Sequence, residues 1–489
     1  MTNDNPLRRT KIVATLGPAT DAPGMLEKII AEGVDVVRLN LSHGQPDDHR
    51  ARATAVRDAA AKVGREVGIL ADLQGPKIRV ERFANGPIEL KMGDSFVLDC
   101  SPNAAPGSQE SVGVSYYGLP NDVVPGDVLL LDDGLVGLTV DRVEGSKIYT
   151  HVCVPGRLSD RKGLNRQGGG LSVDALSDKD KNDIKLAAEI GCDFLAVSFV
   201  RSAADMDQAR RLLEEAGGKA SLVAKIERAD AIPVLGEIID ASDVVMVARG
   251  DLGVEIGDAE LPGLQKKIIR ESMQRNRAVI TATQMLQSMV RSPIPTRAEV
   301  LDVANAVIDG TDAVMLSEES AAGAHPDKAV AALRRICLGA ERQFEPKEDI
   351  SGHRLDRTDQ AIALAAMLLA SQLGVRALVA LTESGATAQW LSRYRSAVPI
   401  YALSPFDDAR RRMLVLRDVQ PVKFTHASSL TPTASAREAV RLLFQQGKLS
   451  DGDRVVLTHG DHIGRGGGTN TLKLLSVGPD GEVESLRDL

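Results

Sequence analysis

Apolar, strand-like runs alternate with helical segments through most of this chain, and this alternation constrains the fold more than any other feature. Eight such runs occur, at residues 11–17, 34–41, 67–73, 194–200, 221–227, 243–250, 278–284 and 313–319. Nearly continuous apolar strands joined by helices are typical of parallel sheets covered on both faces. Eight of them predict an α/β fold, a closed (β/α)8 TIM barrel with its helices outside.

A long interruption separates the third run from the fourth. Between residues 74 and 171 helical periodicity is absent, and short alternating runs are separated by Gly and Pro, as in PIELKMGDSFVLD. This pattern predicts an inserted all-β lid domain at 74–171, so the barrel comprises residues 1–73 and 172–343. A polar linker follows, and further strand-like runs predict a C-terminal α/β regulatory domain at 344–489.

Composition excludes several classes of function. Lys and Arg total 59 against 67 for Asp and Glu, a net charge of −8, and aromatic residues make up 3%, so nucleic acid is not expected as a partner. The amino terminus lacks the apolar core of a signal peptide, and no apolar stretch is long enough to span a membrane. Four widely spaced cysteines fit a reducing compartment. We therefore expect a soluble, cytoplasmic protein with no membrane partner.

Charged side chains cluster where the strand-like runs end. Lys225 and Glu227 alternate along one strand and therefore share a face, and Asp251 follows the next strand. In parallel α/β folds the ligand binds at the carboxyl ends of the strands. A metal ion held by Glu227 and Asp251, with Lys225 beside it, is the first hypothesis. The alternative is an ion pair that caps a strand.

Polar residues follow six of the eight strands. In chain order they are Arg38, Asn40, Ser42, His43, Asp72, Lys225, Glu227, Arg249, Gly250, Asp251, Thr281, Thr283, Ser317 and Glu319. Because all strands of a parallel barrel end on one rim, these groups should converge there, which favours an active site over separate strand caps.

Longer strings recur in order with barrel spacing: KIVATLGPAT, VVRLNLSHG, ADLQGPKIR, DDG, RKGLN, AKIER, VARGDLGVEI, TATQML, SPIPTRAEV and AVMLSEES. These strings resemble the pyruvate kinase family, and the resemblance covers nearly the whole chain. It implies transfer of phosphate from phosphoenolpyruvate to ADP, giving pyruvate and ATP in the last step of glycolysis. It also implies a homotetramer.

The chemistry of that reaction suits the charged residues of the rim. Phosphoryl transfer asks the protein mainly for positioning and charge neutralisation. Glu227 and Asp251 would hold Mg²⁺, with Mn²⁺ as an alternative, since hard cations prefer carboxylate oxygens. Lys225 would stabilise charge on the phosphoryl and enolate oxygens, and Arg38 would grip phosphate through its fork of donors.

The resemblance assigns the other substrate contacts. The backbone amides of Gly250 and Asp251 would receive the substrate carboxylate at a helix start. Thr283 would lie beside the enolate carbon and orient a water or a proton relay, although a threonine of the barrel wall is the alternative. The nucleotide would be bound by Asn40, His43, Arg79 and Lys162.

One departure from the family pattern concerns potassium. Family members that require K⁺ bind it near positions matching Asn40, Ser42, Asp72 and the Leu73 carbonyl, and commonly carry Glu where this chain has Lys77. We expect the Lys77 ammonium to occupy that region in place of K⁺. The sequence therefore predicts that K⁺ is not required.

A loop in the C-terminal domain predicts an effector site. TESGATA follows a strand and opens a helix, where hydroxyls and a glycine suit a phosphate, although an ordinary helix cap is the alternative. The expected ligand is a sugar monophosphate or AMP, because Glu383 and Ala386 stand where some family members place Lys or Arg. The effector residues would be Thr382, Ser384, Gly385, Thr387 and Arg465.

Two other functions remain as alternatives to a kinase. A barrel aldolase or lyase acting on pyruvate or a similar acid would also use Mg²⁺, an Arg and a Lys, but would need no nucleotide lid. A catalytically silent regulator that binds a phosphosugar is the other alternative. The triplet Arg410, Arg411 and Arg412 indicates a solvated helix face or an oligomer contact.

Overall fold

The computed structural model describes residues 7–343, 355–395, 398–425, 431–460 and 468–483. The chain first forms β1 (Lys11–Thr15), α1 (Met25–Glu32), β2 (Val36–Asn40), α2 (Pro46–Val63) and β3 (Gly68–Asp72). Both helices end at a glycine with positive φ, Gly33 at 119° and Gly64 at 73°. Only glycine adopts this conformation without a steric cost, so each helix stops there and the chain turns into the next strand.

The lid follows β3 and is built almost entirely of short strands. Its elements are β4 (Ile88–Leu90), β5 (Ser95–Asp99), β6 (Ser111–Gly113), α3 (Leu119–Asp122), β7 (Val128–Leu131), β8 (Val136–Glu144), β9 (Lys147–Val154), β10 (Gly156–Leu158) and β11 (Leu164–Arg166). A sheet of order β11-β7-β8-β9-β5-β6 curls around a core of its own, and β10 pairs with β4. The prediction of an all-β insertion is confirmed.

The rest of the barrel alternates helix and strand without a break. Its elements are α4 (Asp178–Glu189), β12 (Phe194–Val197), α5 (Ala203–Glu215), β13 (Ser221–Ile226), α6 (Leu235–Ala241), β14 (Val244–Ala248), α7 (Arg249–Ile256), α8 (Leu261–Gln274), β15 (Ala278–Ala282), α9 (Arg297–Asp309), β16 (Ala313–Leu316), α10 (Glu318–Ala321) and α11 (Pro326–Gln343). Short 3-10 helices lie at Ala229–Ala231 and Gln287–Val290. Among the described residues, eight parallel strands close in the order β1-β16-β15-β14-β13-β12-β3-β2, which confirms the predicted barrel.

The C-terminal domain is a separate sheet with helices around it. Its elements are α12 (Thr358–Leu373), β17 (Ala377–Leu381), α13 (Ala386–Arg393), β18 (Ile400–Ser404), α14 (Asp407–Met413), β19 (Val419–Lys423), α15 (Pro432–Gln445), β20 (Arg454–Gly460) and β21 (Thr469–Ser476), with a 3-10 turn at Pro479–Gly481. The sheet order is β19-β18-β17-β20-β21, and β21 runs antiparallel to β20. The predicted α/β class of this domain is confirmed. The domain limits at 73, 171 and 343 stay a prediction.

One apolar core joins the barrel to the C-terminal domain. Inward-facing barrel residues such as Phe194 and Met246 belong to the same cluster as Leu378, Met413 and Leu416 of the C-terminal domain. A second cluster fills the space between the barrel strands and their helices. The amino-terminal end of the barrel is therefore covered by the C-terminal domain, and the carboxyl end is left for the lid.

Aspartates fix the amino-terminal end of the barrel. In the described chain, Asp35, Asp193, Asp243 and Asp312 each stand directly before alternate strands, β2, β12, β14 and β16. Each accepts the backbone N–H at or beside the start of the preceding strand, from Ile12, Ile69 and Leu222 at 2.8 Å and from Val279 at 2.9 Å. Each also pairs with an arginine, in order Arg8, Arg57, Arg210 and Arg393. The carboxylates therefore hold neighbouring strands in register.

The arginine triplet on α14 joins this end of the barrel. Arg410 is buried, and its Nε lies 2.7 Å from Glu66 Oε1. Arg411 Nε lies 2.7 Å from Asp193 Oδ1, and Arg412 donates to the carbonyl of Lys219. The predicted solvated face was wrong, because charge patterning along one helix does not show which carboxylates of another domain lie opposite it.

Candidate active site at the carboxyl end of the barrel

Lys225 is the centre of a buried ion cluster at the end of β13. Its Nζ lies 2.9 Å from Glu227 Oε1 and 3.2 Å from Asp72 Oδ1, and it donates to Ser198 Oγ at 2.6 Å. Lys225 is 9% exposed. Burial opposes the charged ammonium, but the carboxylates of Asp72 and Glu227 outweigh it and raise the pKa of Lys225 above its ordinary value. The lysine is therefore held in its charged form.

Asp72, at the end of β3, links two cations. Its Oδ2 lies 2.6 Å from Arg38 Nε, while Oδ1 faces Lys225. Burial alone would raise the pKa of Asp72, but the two cations lower it below its ordinary value. Arg38 Nη1 also donates to Thr15 Oγ1 at 3.0 Å. The guanidinium is thus anchored on one side, with its orientation set before any substrate arrives.

Glu227 has a raised pKa, in contrast to Asp72. Its Oε2 accepts the backbone N–H of Phe199 at 2.8 Å, and Phe199 has a φ of +56°, a region that bulky residues rarely adopt. Burial raises the pKa of Glu227, and the negative charge of Asp251 adds to this, so that the pKa lies above its ordinary value despite Lys225. Glu227 and Asp251 therefore repel each other and would both gain from a cation placed between them.

Asp251 lies in the first turn of α7 and pairs with the lid-proximal Lys77. Lys77 Nζ is 3.0 Å from Asp251 Oδ1. We expected this ammonium in the region of Asn40, Ser42, Asp72 and Leu73. The structure places it on Asp251 instead, because Asp72 already pairs with two cations and a third would be repelled there.

Two further oxygen atoms of that region, Asn40 Oδ1 and the Leu73 carbonyl oxygen, accept hydrogen bonds from other groups of the protein. Asn40 Oδ1 accepts the backbone N–H of Ser42 at 3.1 Å. The Leu73 carbonyl accepts the hydroxyl of Ser198 at 2.8 Å. The region is therefore organised by the protein's own hydrogen bonds.

Thr283 follows β15 and faces the start of α7. Its Oγ1 accepts the backbone N–H of Gly250 at 2.9 Å and donates to the carbonyl of Ala282 at 2.6 Å. The structure thus brings Thr283 and Gly250 together, as expected. The Gly250 amide is engaged by Thr283, so it would have to exchange this bond to meet a substrate carboxylate.

The proposed nucleotide residues fall into two pairs. Asn40 and the exposed His43 lie at and just beyond the end of β2. Arg79 and Lys162 lie on adjacent, antiparallel segments of the lid. Arg79 Nη1 donates to the carbonyl of Arg161 at 2.9 Å, and Lys162 Nζ pairs with Asp132 Oδ1 at 2.9 Å. Each lid cation therefore has a partner within the lid.

The expected effector loop lies between β17 and α13. Thr382 Oγ1 accepts the N–H of Gly385 at 3.0 Å, and Ser384 Oγ accepts the N–H of Ala386 at 3.4 Å. Thr387 is buried, and its hydroxyl bonds Thr469 Oγ1 at 2.6 Å. Thr387 is therefore committed to the sheet. Arg465 lies outside the described residues.

Comparison with known proteins decides the family. The pyruvate kinase barrel-domain model matches residues 7–330, and the pyruvate kinase alpha/beta-domain model matches residues 360–475. The chain belongs to the pyruvate kinase family.

Individual relatives agree with this assignment. Pyruvate kinase II of Salmonella typhimurium is 55% identical over 479 residues, which cover 96% of this chain and 99% of that protein. A pyruvate kinase of Haemophilus influenzae is 54% identical over 93% of this chain and 96% of its own length. The crystal structure of a pyruvate kinase from Cryptosporidium parvum superimposes with a TM-score of 0.89 at 32% identity, covering 96% of each chain.

Membership of the pyruvate kinase family means a phosphotransferase of glycolysis that acts on phosphoenolpyruvate and ADP with a divalent metal ion. In the described ranges, no helix is both long and apolar enough to cross a membrane. In the same ranges no group of three or more His, Cys, Asp or Glu side chains is arranged to hold a metal. Glu227 and Asp251 form a pair of carboxylates whose mutual repulsion fits a shared cation.

Sequence reasoning missed Thr15 and Ser198. They lie at the ends of β1 and β12, the two strands for which no rim residue was named, and both bond to the ion cluster. The signal was present: each is a hydroxyl residue at the end of an apolar run, the same pattern that identified the other six strands. Their hydroxyls fix Arg38 and Lys225.

Proposed function

We propose that this pyruvate kinase transfers phosphate from phosphoenolpyruvate to ADP with Mg²⁺ bound by Glu227 and Asp251 and with Lys225 as the central catalytic cation. The supporting observation is the buried Lys225 between Asp72 and Glu227 at the carboxyl end of the barrel. Mg²⁺, or Mn²⁺ in its place, would neutralise charge on the substrate oxygens when bound. The other steps fall to side chains of this chain.

Lys225 would stabilise the negative charge that develops on the phosphoryl and enolate oxygens. At about 4 Å and an effective dielectric constant near 20, a unit charge pair is worth roughly 4 kcal/mol before desolvation. Because Lys225 is buried and its pKa is raised, this charge is fully present at neutral pH. Arg38, held by Asp72 and Thr15, would bind a phosphate oxygen through its free donors.

The remaining contacts would guide the proton. When the bond from phosphorus to the enol oxygen breaks, the electron pair stays on that oxygen, and the methylene carbon must then gain a proton. Thr283 would orient a water or relay for this proton, and the amides of Gly250 and Asp251 would hold the substrate carboxylate at the start of α7. The bond between Gly250 and Thr283 supports placing both beside the same substrate.

The lid would complete the nucleotide site. Asn40 and His43 would contribute from the barrel, and Arg79 and Lys162 from the lid. Closure would exclude water and protect the phosphoryl group from hydrolysis. Exchange of Lys162 from Asp132 to a nucleotide phosphate would accompany it.

We propose in addition that activity does not require K⁺. Lys77 supports this, because it brings an ammonium into the rim from the segment that follows β3. Its charge would substitute for the monovalent cation from its place on Asp251. Lys77→Glu should create a K⁺ requirement, and the conservative Lys77→Arg should not.

Regulation and assembly are proposals from the family resemblance. A sugar monophosphate or AMP would bind at Thr382, Ser384 and Gly385, whose hydroxyls and amides form the turn before α13. Thr387 and Arg465 belong to the same proposal, with Thr387 acting through Thr469. The enzyme would be a cytoplasmic homotetramer.

The testing experiment measures pyruvate formation from phosphoenolpyruvate and ADP with Mg²⁺, in Na⁺ and in K⁺, with and without glucose 6-phosphate or AMP. ADP-dependent activity in both salts supports the catalytic and K⁺ proposals, and activation by a monophosphate supports the effector site. Collapse of activity in Na⁺ with recovery in K⁺ contradicts the role of Lys77. Release of pyruvate from an oxaloacetate-like acid, with no ADP-dependent formation of pyruvate from phosphoenolpyruvate, would favour the aldolase or lyase, and folded but inactive protein would favour the regulator.

A further inference from the structure

The backbone at Thr283 is strained. Thr283 has a φ of +68° and the following Gln284 a φ of +55°. A β-branched residue in this left-handed region is a genuine outlier, since its side chain crowds its own backbone. Such conformations persist only where the surrounding structure holds them. A neighbouring group must therefore hold Thr283 in this conformation.

Arg249, the first residue of α7, holds the backbone on both sides of the threonine Cα. Its Nη2 donates to the carbonyl of Thr283 at 2.7 Å, and its Nε donates to the carbonyl of Ala282 at 3.3 Å. Arg249 is 8% exposed. Because both peptide carbonyls that flank the strained residue bond one planar guanidinium, their relative orientation is set by that group.

The guanidinium is itself anchored from the outside of the barrel. Arg249 Nη1 lies 2.7 Å from Asp302 Oδ1 on α9 and 3.4 Å from Gln265 Oε1 on α8. The α9 helix begins with a capping box in which Thr296 and Glu299 bond each other's backbone, so Asp302 is carried by a well-fixed helix. The anchor therefore does not depend on substrate.

The next residue of α7 completes the arrangement. The Gly250 N–H donates to Thr283 Oγ1. When this amide exchanges to a substrate carboxylate, α7 still holds the backbone of Thr283 through Arg249. The same helix start carries Asp251. The orientation of the Thr283 hydroxyl is thus tied to the helix that holds the proposed carboxylate and metal contacts.

We infer that Arg249 is a positioning residue, which holds Thr283 in the strained conformation that directs its hydroxyl to the proton transfer at the substrate's methylene carbon. The inference rests on the proposed role of Thr283. Arg249 acts through Thr283 and does not itself touch the substrate. A lysine could not replace it, because a single ammonium lacks the planar fork that spans two carbonyls and a carboxylate.

Proton transfer can be measured apart from phosphoryl transfer. The intact enzyme with Mg²⁺ and pyruvate in D₂O should exchange the methyl protons: a C–H bond breaks, its electrons enter the enolate, its proton leaves through the relay, and a deuteron returns to the carbon. NMR follows this exchange, and titration of pyruvate gives its binding separately. For Arg249→Lys we expect exchange to slow by about 10- to 100-fold, at or below the lower end of general acid–base effects because the hydroxyl is displaced and not removed, with pyruvate binding changed less than about threefold.

Two further variants show whether Arg249 acts through Thr283. Adding Arg249→Lys to Thr283→Ala should slow exchange little beyond Thr283→Ala alone, because the positioned hydroxyl is already gone. Arg393→Lys is the matched control: Arg393 is a buried arginine paired with Asp312 at the opposite end of the barrel. Its exchange rate should equal that of the unaltered enzyme.

Separate outcomes overturn the inference and the proposal beneath it. If Thr283→Ala slows exchange but Arg249→Lys does not, or if the two effects multiply independently, the positioning role is wrong while the Thr283 role stands. Normal exchange in Thr283→Ala overturns both. If Arg249→Lys does not fold, Asp302→Asn replaces it as the test. The half-buried Asp302 anchors Arg249, and removing its charge weakens that anchor. Slower exchange at unchanged pyruvate binding then supports the inference, and unchanged exchange overturns it.

Discussion

The two ends of the barrel both bury charged side chains, but they use them in different ways. At the amino-terminal end, Asp193 and Asp312 each accept strand N–H groups and pair with arginine, so each oxygen has a fixed partner. At the carboxyl end, Glu227 faces Asp251 as well as Lys225, and its pKa is raised by burial and by that second carboxylate. These aspartates of the amino-terminal end are satisfied, whereas the carboxyl end holds two carboxylates that repel each other.

The difference teaches how to recognise a functional site among buried ions. Burial and ion pairing are common to both ends, so neither marks a site by itself. The distinguishing feature is a pair of carboxylates that repel each other. Phe199 at φ +56° and Thr283 at φ +68° contact them or lie nearby, but positive φ also occurs at the amino-terminal end, at Asp418. Such strain is retained where the surrounding structure enforces it. The amino-terminal end, in contrast, carries the C-terminal domain through Arg393 and Arg411.

The largest expected effect is on kcat, and it comes from comparing substitutions of the buried lysine at each end of the barrel. Lys225→Met should lower kcat about 1,000-fold, because roughly 4 kcal/mol of charge stabilisation is lost at the reacting oxygens. The matched Lys11→Met removes a buried lysine at the opposite end, where Nζ donates to the Val419 carbonyl at 2.5 Å, and should leave kcat within about twofold. Steady-state pyruvate formation measures both, with circular dichroism to confirm folding. Near-normal turnover of Lys225→Met would contradict the assignment.

The next largest effect concerns stability. Here the substitution with the large effect lies at the amino-terminal end of the barrel, not at the carboxyl end. Asp312→Asn should lower the free energy of unfolding by about 3 kcal/mol, because it leaves the buried Arg393 without its carboxylate. Turnover per folded enzyme should not change. Asp243→Asn is the matched control, since its ion pair with Arg210 is half exposed and should contribute at most about 1 kcal/mol. Urea unfolding measures both. Equal losses of unfolding free energy would show that burial does not determine how much each ion pair contributes to stability.

The smallest effect is a pH dependence at the amino-terminal end. Burial lowers the pKa of Lys11 to about 8, although Asp35 opposes this. Between that value and its unfolded pKa of 10.5 the unfolded chain binds more protons, so stability should rise with pH in this window and be lost as pH falls toward 8. From pH 7 to 9.5 the unaltered enzyme should gain about 2 kcal/mol relative to Lys11→Met. Parallel unfolding curves for the two proteins across this range would contradict the lowered pKa.

Sequence reasoning succeeded where the signal is periodic. The eight apolar runs predicted the barrel strands, and the polar residues after six of these runs predicted the rim. Thr15 and Ser198 end the other two runs and were not named, although they follow the same pattern. The aspartates of the other end have a signal too, since GVDVV, GCDFL, SDVV and GTDAV precede alternate strands.

Sequence reasoning failed where a side chain had several possible partners. Lys77 was expected beside Asp72 and lies on Asp251. Arg410 was expected in solvent and is buried against Glu66. In both cases the residue type was interpreted correctly as a cation, and only its partner was wrong, because the partner is chosen by competition among all carboxylates within reach.

The amino-acid sequence by itself determined the order of strands and helices, the inserted lid, the convergence of polar groups on one rim and the family, because side-chain periodicity and motif order are local properties of the chain. The tertiary structure alone decided which charges pair, which threonine is strained and which buried carboxylates repel each other. Lys77 and Asp251 are 174 residues apart, and Arg411 and Asp193 are 218 apart. Electrostatic interaction depends on distance in space, and no pattern along the chain supplies that distance.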